Sequence, residues 1–225
     1  MSQGLWTAVD NYVSNLLAPH DEALQAALAA STQNGLPEIQ VSPTQGKLLH
    51  VLARMVGANK ILEIGTLGGY STIWMARALP AGGRVLTLEF NPKHAEVASA
   101  NFARAGLADA IEVRVGPALD TLPAIAAEGL GPFDLIFIDA NKSVMAEYFD
   151  WALKLSHPGS VIVSDNVIRD GAVIDAASSD PDIQGVRRFN QRLAAEPRVS
   201  ATEIQTVGSK GYDGFALAVV LGTGN

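Results

Sequence analysis

Two aspartates carry the first chemical signal. Asp139 closes the β-rich run Phe133–Ile138, and Asp165-Asn166 closes the run Gly159–Ser164. Neighbouring parallel strands lie about 4.8 Å apart, so side chains that end adjacent strands converge above the sheet. Two carboxylates and one amide are hard oxygen donors, which suit Mg²⁺, Mn²⁺ or Ca²⁺ rather than zinc. Three protein donors out of about six leave room for water or for two oxygens of a substrate. Lys142 follows Asp139 by one helical turn and brings an amine to the same point. A plainer assignment makes each aspartate the cap of the helix after it, a common duty at a strand-to-helix loop. Their grouping with Asn166 and Lys142 favours the metal.

A second constellation lies upstream. Glu63-Ile64-Gly65-Thr66-Leu67-Gly68-Gly69-Tyr70-Ser71 follows one β-rich run and opens a helix, and Glu89 ends the next run. Glycine lets backbone turn sharply and approach a ligand. An acid about 20 residues past such a loop accepts hydrogen bonds from ribose hydroxyls. The plainer assignment here is a tight turn and a surface glutamate. A dinucleotide site requires G-x-G-x-x-G, and Leu67 breaks that spacing. Glu63 also puts a carboxylate where a pyrophosphate would sit. A cationic ligand suits the loop better, and S-adenosylmethionine (SAM) offers an ammonium, a sulfonium, a ribose and an adenine without phosphate.

These residues need a scaffold that ends several strands along one edge. The runs Lys60–Ile64, Arg84–Leu88, Ile111–Val115, Phe133–Ile138 and Gly159–Ser164 alternate with helix-like segments Ser71–Leu79, Pro92–Ala105, Ala118–Ala127 and Val144–Leu155. That alternation implies right-handed βαβ units: an α/β fold with a doubly wound, mostly parallel sheet. Residues 1–57 read as extra helices. Leu5, Val9, Tyr12, Val13, Leu16 and Leu17 form one stripe, and a helix capped by Ser42 with Pro43 in its first turn carries Leu48, Leu49, Leu52 and Met55 toward the core. A helix after Pro181 and two strand-like runs, about 201–206 and 214–221, close the chain as an antiparallel hairpin, for about seven strands. Ligands of such sheets bind outside the carboxyl ends of the strands, where the strand order reverses. Arg169–Asp182, the most loop-like stretch, is a lid or a connection.

Composition narrows the function class. At 225 residues a single domain is expected. The chain has no cysteine, which removes disulfides, thiolate metal sites and a cysteine nucleophile, and fits a reducing cytoplasmic setting. The first basic residue is Lys47, no apolar run reaches membrane-span length, and the net charge is −7 without a basic patch. Neither a membrane nor nucleic acid is therefore expected as a partner. The four histidines lack ligand spacing, and no G-x-S-x-G or H-E-x-x-H occurs.

The runs Ile61–Trp74 (ILEIGTLGGYSTIW), Leu88-Glu89, Gly116–Ala118, Phe133–Lys142 (FDLIFIDANK), Val163–Gly171 (VSDNVIRDG) and Gly208–Phe215 (GSKGYDGF) together resemble the caffeoyl-CoA O-methyltransferase-like family. These are Rossmann-like class I SAM-dependent enzymes related to catechol O-methyltransferase. The resemblance spans the chain from about Val41 onward. It implies that Val41 lies along the methionine end of SAM, with Glu63, Gly65, Thr66 and Ser71 around its amino-acid and sulfonium portions. Glu89 then binds ribose and Ala118 sits by adenine. Asp139, Asp165 and Asn166 bind a divalent cation, Asp139 also touching SAM, and Lys142 matches the family's proposed general base. A homodimer and a catechol-bearing phenolic substrate are also implied, with residues 1–57 contributing to both substrate site and dimer. One position departs from the pattern: the usual Asp-Ala-Asp-Lys reads Asp139-Ala140-Asn141-Lys142. Two alternatives stay open at this point, a metal-independent small-molecule methyltransferase and a catalytically silent SAM-binding protein.

Overall fold

A computed structural model describes residues 2–222. Three helices come first: α1 (Gln3–Leu17), α2 (Glu22–Gln33) and α3 (Pro43–Met55). Alternation follows, with β1 (Lys60–Ile64), α4 (Tyr70–Ala76), β2 (Arg84–Glu89), α5 (Pro92–Arg104), β3 (Ile111–Val115), α6 (Ala118–Ala127), β4 (Phe133–Ile138), α7 (Met145–Lys154) and β5 (Ser156–Asp165). Helix α8 (Pro181–Ala194) and the hairpin β6 (Val199–Gly208) and β7 (Gly211–Val220) complete the chain. Capping chemistry sets several starts. Ser42 Oγ accepts from Gln45 N and Asn91 Oδ1 accepts from Lys93 N, each followed by proline at the first helical position.

The seven strands run in the order β3-β2-β1-β4-β5-β7-β6. The first five are parallel; β7 lies antiparallel to β5, and β6 antiparallel to β7 on the sheet edge. Both faces are covered, which is why β1, β2 and β4 read as apolar runs rather than alternating ones. One core packs Ile61, Phe137 and Val163 against Leu49, Ile73, Met75 and Phe102. The other packs Leu62, Ile64, Ile136 and Ile162 against Ile125, Phe149 and Phe189. Alternation along β1 therefore turns Glu63 into the face covered by α3, α4 and α5. The order reverses between β1 and β4, and a crevice opens at the carboxyl ends beside that switch point.

Two sequence expectations need correction. Strand β5 begins at Ser156 rather than Gly159, because it passes through His157-Pro158-Gly159, a turn-like triplet placed at a register irregularity against β4. Met55 is exposed, since the buried face of α3 is defined by Gly46, Leu49, Leu52 and Ala53, and Met55 falls on the opposite side of the helix. Helix α1 buries none of its residues. It is tied down by polar contacts instead. Gln3 Nε2 donates to the Gly208 carbonyl at 2.8 Å, and Asp10 Oδ2 accepts from the Ser209 amide at 2.7 Å. Leu5, Val9, Tyr12, Leu16 and Leu17 stay exposed. Among the described residues no helix is long and apolar enough to cross a membrane.

Candidate active site

The crevice is a cavity of about 920 Å³ whose walls follow the strand order. Gly116–Leu119 come from the end of β3, Glu89, Phe90 and His94 from β2 and the start of α5, and Ile64–Leu67 with Ser71 from β1 and α4. Asp139–Lys142 follow β4, Asp165 ends β5 with Asn166 and Arg169 after it, and Lys210 precedes β7. The segment Glu38–Val41 and Gln45 form a wall from the N-terminal helices.

The loop after β1 is held open by backbone geometry. Gly65 has φ 106°, and a Cβ there would lie 2.1 Å from the Asp139 carbonyl oxygen. Only glycine lets β1 and β4 approach this closely while Gly65 N donates to the Leu88 carbonyl and Asp139 N to the Ile64 carbonyl. Leu67 has φ 51°, a left-handed conformation that costs a non-glycine residue about 1–2 kcal/mol. Glu89 holds it there: Oε2 accepts from Thr66 N at 3.2 Å and Leu67 N at 2.7 Å. Its Oε1 accepts from Asn91 N at 2.9 Å and lies 3.4 Å from His94 Nδ1.

Glu63 is fully buried and does not line the cavity. Its carboxylate accepts from Ser71 Oγ at 2.6 Å, Thr87 Oγ1 at 2.6 Å and Thr72 Oγ1. Burial dominates these hydrogen bonds and pushes its carboxyl up to about 7, with Asp139 adding to the rise. Ser71 does line the cavity, so Glu63 lies one layer below the lining and is joined to it by that hydrogen bond.

The other end is built from side chains. Ile138 and Ser164 are register partners, so Asp139 and Asp165 occupy the next positions of neighbouring strands. Lys142, itself buried, donates to Asp139 Oδ1 at 2.7 Å. Asp165 is also buried, and its Oδ1 accepts from the Asn166 amide at 2.9 Å, Asn166 standing at φ 60°. Burial raises the Asp165 carboxyl well above the ordinary carboxylate range, the nearby Asp139 raises it further, and Lys142, the Asn166 amide and Gln45 pull it back. Neither aspartate caps a helix. The cap belongs to Asn141, whose Oδ1 accepts from Ser143 N at 3.0 Å and Ser143 Oγ at 2.8 Å and so fixes the 3-10 turn Lys142–Val144. That is the structural job of the departing residue at position 141.

Val41, Gly65, Thr66, Ser71, Glu89, Ala118, Asp139, Lys142, Asp165 and Asn166 thus share one cavity, and Glu63 lies beneath it. Among the described residues no cluster of three or more His, Cys, Asp or Glu side chains gathers as a metal site. The donor set here is two carboxylates and an amide, which is the chemistry of a hard cation. Sequence reasoning passed over Tyr70, held by His20 Nε2 at 2.5 Å, and His94, which reads as an ordinary helical residue. The signal available for His94 was its place in the first turn of the helix that follows Glu89.

A family model described as O-methyltransferase matches residues 15–219. The catechol O-methyltransferase of Niastella koreensis is 56% identical over 220 residues, covering 98% of this chain and 100% of that protein. The solved O-methyltransferase from Bacillus cereus in complex with SAH superposes with a TM-score of 0.96 at 59% identity, covering 97% of this chain and 100% of that one. The O-methyltransferase TomG from Streptomyces achromogenes, involved in tomaymycin synthesis and solved with SAM, gives 0.95 at 55% identity, covering 99% and 100%. With a glycine loop that fails the dinucleotide spacing and an acid at the end of β2, the chain belongs to the O-methyltransferase family and is a SAM-dependent O-methyltransferase.

Proposed function

We propose that the acceptor is an aromatic ring bearing two adjacent hydroxyls, and that Asp139, Asp165 and Asn166 would hold a divalent cation beside that pair. The observation that supports this reading most is the convergence of two carboxylates on adjacent strands beside a buried lysine, with the Asp165 carboxyl raised by burial and then by the neighbouring Asp139. Mg²⁺ is the first choice, with Mn²⁺ and Ca²⁺ sharing the donor chemistry. A phenol titrates near 10, and the cation would supply the Lewis acidity that eases loss of that proton.

The chain's own residues do the rest. Lys142, as the neutral amine, takes the proton from the acceptor hydroxyl and becomes an ammonium, and Asp139 keeps its Nζ in place. The oxygen attacks the methyl carbon in line, the carbon–sulfur bond breaks, and its electron pair stays on sulfur, which loses its charge. On the other side, Glu89 receives the ribose hydroxyls, Ala118 the adenine, and Val41, Gly65, Thr66 and Ser71 the methionine portion. Glu63 offsets the positive charge of the cofactor through Ser71. The name of the Niastella koreensis relative agrees with a catechol-type acceptor.

The test is turnover of a catechol and of a matched monophenol, with and without EDTA. Catechol turnover should fall at least tenfold in EDTA and return with Mg²⁺, and the monophenol should be poor throughout. Full catechol turnover after complete chelation favours the metal-independent alternative. The same reading includes a homodimer that covers the exposed Leu5–Val9–Tyr12–Leu16 stripe of α1, with a dimer mass by light scattering at micromolar concentration as its check.

A further inference from the structure

The acceptor end of the cavity carries two cations that the reaction does not use. Arg169 and Lys210 both line it, on the β5 and β7 side, beyond Asp139 and Asp165 from the glycine loop. Each is held by contacts remote in sequence. Arg169 stands at φ 55°, a left-handed backbone that favours glycine, and Asp213 Oδ1 keeps it there by accepting from Ile168 N at 3.0 Å and Arg169 N at 2.9 Å. Lys210 sits on the turn between β6 and β7, which Asp10 pins through the Ser209 amide and hydroxyl. Its Nζ donates to the Glu38 carbonyl at 2.8 Å.

Their charges are only weakly answered. Arg169 lies 3.9 Å from Asp182, the long limit of an ion pair and partly open to solvent on both sides. Lys210 spends one of three donors on a neutral carbonyl and forms no ion pair among the described residues, although Glu38 stands on the same rim. Asp213 fixes the left-handed backbone at Arg169, and the Glu38 carbonyl holds the Lys210 ammonium, so both residues stand on the rim of the cavity beyond the aspartates.

We propose that Lys210 and Arg169 select acceptors whose ring carries a carboxylate, directly or on a short arm. This rests on the vicinal-diol reading above. A carboxylate is ionised at neutral pH and matches both a guanidinium fork and an ammonium. With the two hydroxyls seated at the aspartates, the substituent on the far side of the ring faces this cationic wall. The remaining anion of the complex is the carboxylate of SAM, so cofactor affinity is the control.

The experiment compares kcat/KM for 3,4-dihydroxybenzoate and 4-methylcatechol in the native enzyme, Lys210→Met and Arg169→Met, with SAM affinity by calorimetry. The native enzyme should favour the benzoate, and the ratio of the two values should fall about tenfold in Lys210→Met and by a smaller factor in Arg169→Met, the scale of one charge-assisted hydrogen bond. Raising salt should weaken the benzoate preference in the native enzyme only. A ratio that moves less than twofold in both variants overturns the proposal and leaves the diol reading standing. A tenfold loss of SAM affinity in either variant assigns the wall to the cofactor and overturns it too. If the native enzyme binds SAM but methylates neither diol, the diol reading fails and takes this inference with it.

Discussion

At the β1–β2–β3 end of the cavity the charged groups are already engaged by the protein itself. Glu89 holds the amides of Thr66, Leu67 and Asn91, and Glu63 holds three hydroxyls out of reach of solvent. At the β4–β5–β7 end a buried lysine pairs with Asp139 while Asp165 has no ion-pair partner among the described residues, and two rim cations lean on a carbonyl and a distant aspartate. The first end is a rigid mould for a ligand that never changes. The second leaves its charge less balanced, and the proposed function fills it with a cation, a proton and a variable acceptor. A lost group should therefore act differently at the two ends, on affinity at the first and on turnover at the second.

Glu89→Ala sharpens that contrast most within the cofactor end. It removes the acceptor that the proposed function gives to the ribose and also releases Leu67 from its left-handed conformation. SAM affinity should fall by roughly 1.5–3 kcal/mol, about tenfold to a hundredfold in Kd by calorimetry. Turnover at saturating SAM should change much less. An unchanged Kd would remove Glu89 from the cofactor.

The two ends also differ in how much of them the sequence discloses. Gly65 and Glu89 belong to single strand-to-loop transitions, so their spacing can be read along the chain, as can Asp139 and Asp165 from the apolar runs that precede them. Lys210 meets the Glu38 carbonyl across 172 positions, and Asp213 reaches Arg169 across 44. No local pattern encodes such pairs. The same limit explains α1 and Met55: periodicity finds an apolar stripe but does not say what the stripe faces. The hydroxyls around Glu63 escape notice because Thr87 comes from β2 and only Ser71 and Thr72 are near in sequence.

A smaller effect tests whether Glu63 belongs to the rigid end. Its carboxyl is raised from 4.5 to about 7 in the folded chain, so folding favours its protonated form. As pH rises between those values, the unfolded carboxyl ionises first and stability falls by roughly 3 kcal/mol, staying level above the folded value. Glu63→Gln has no such loss. The melting temperature of the variant relative to the native enzyme should therefore be about 5 °C more favourable at pH 8 than at pH 5. An equal difference at both pH values contradicts the burial of an ionisable Glu63.

The division of the cavity is tested most directly by Asp165→Asn, with catechol turnover and SAM affinity measured on the same folded sample. Turnover at a fixed Mg²⁺ concentration should fall at least tenfold and recover in part as Mg²⁺ or Mn²⁺ is raised, because one lost ligand weakens a site without abolishing it. SAM affinity should stay within twofold of the native value. Full turnover of the folded variant in EDTA, or a SAM affinity that falls in step with turnover, would contradict the account.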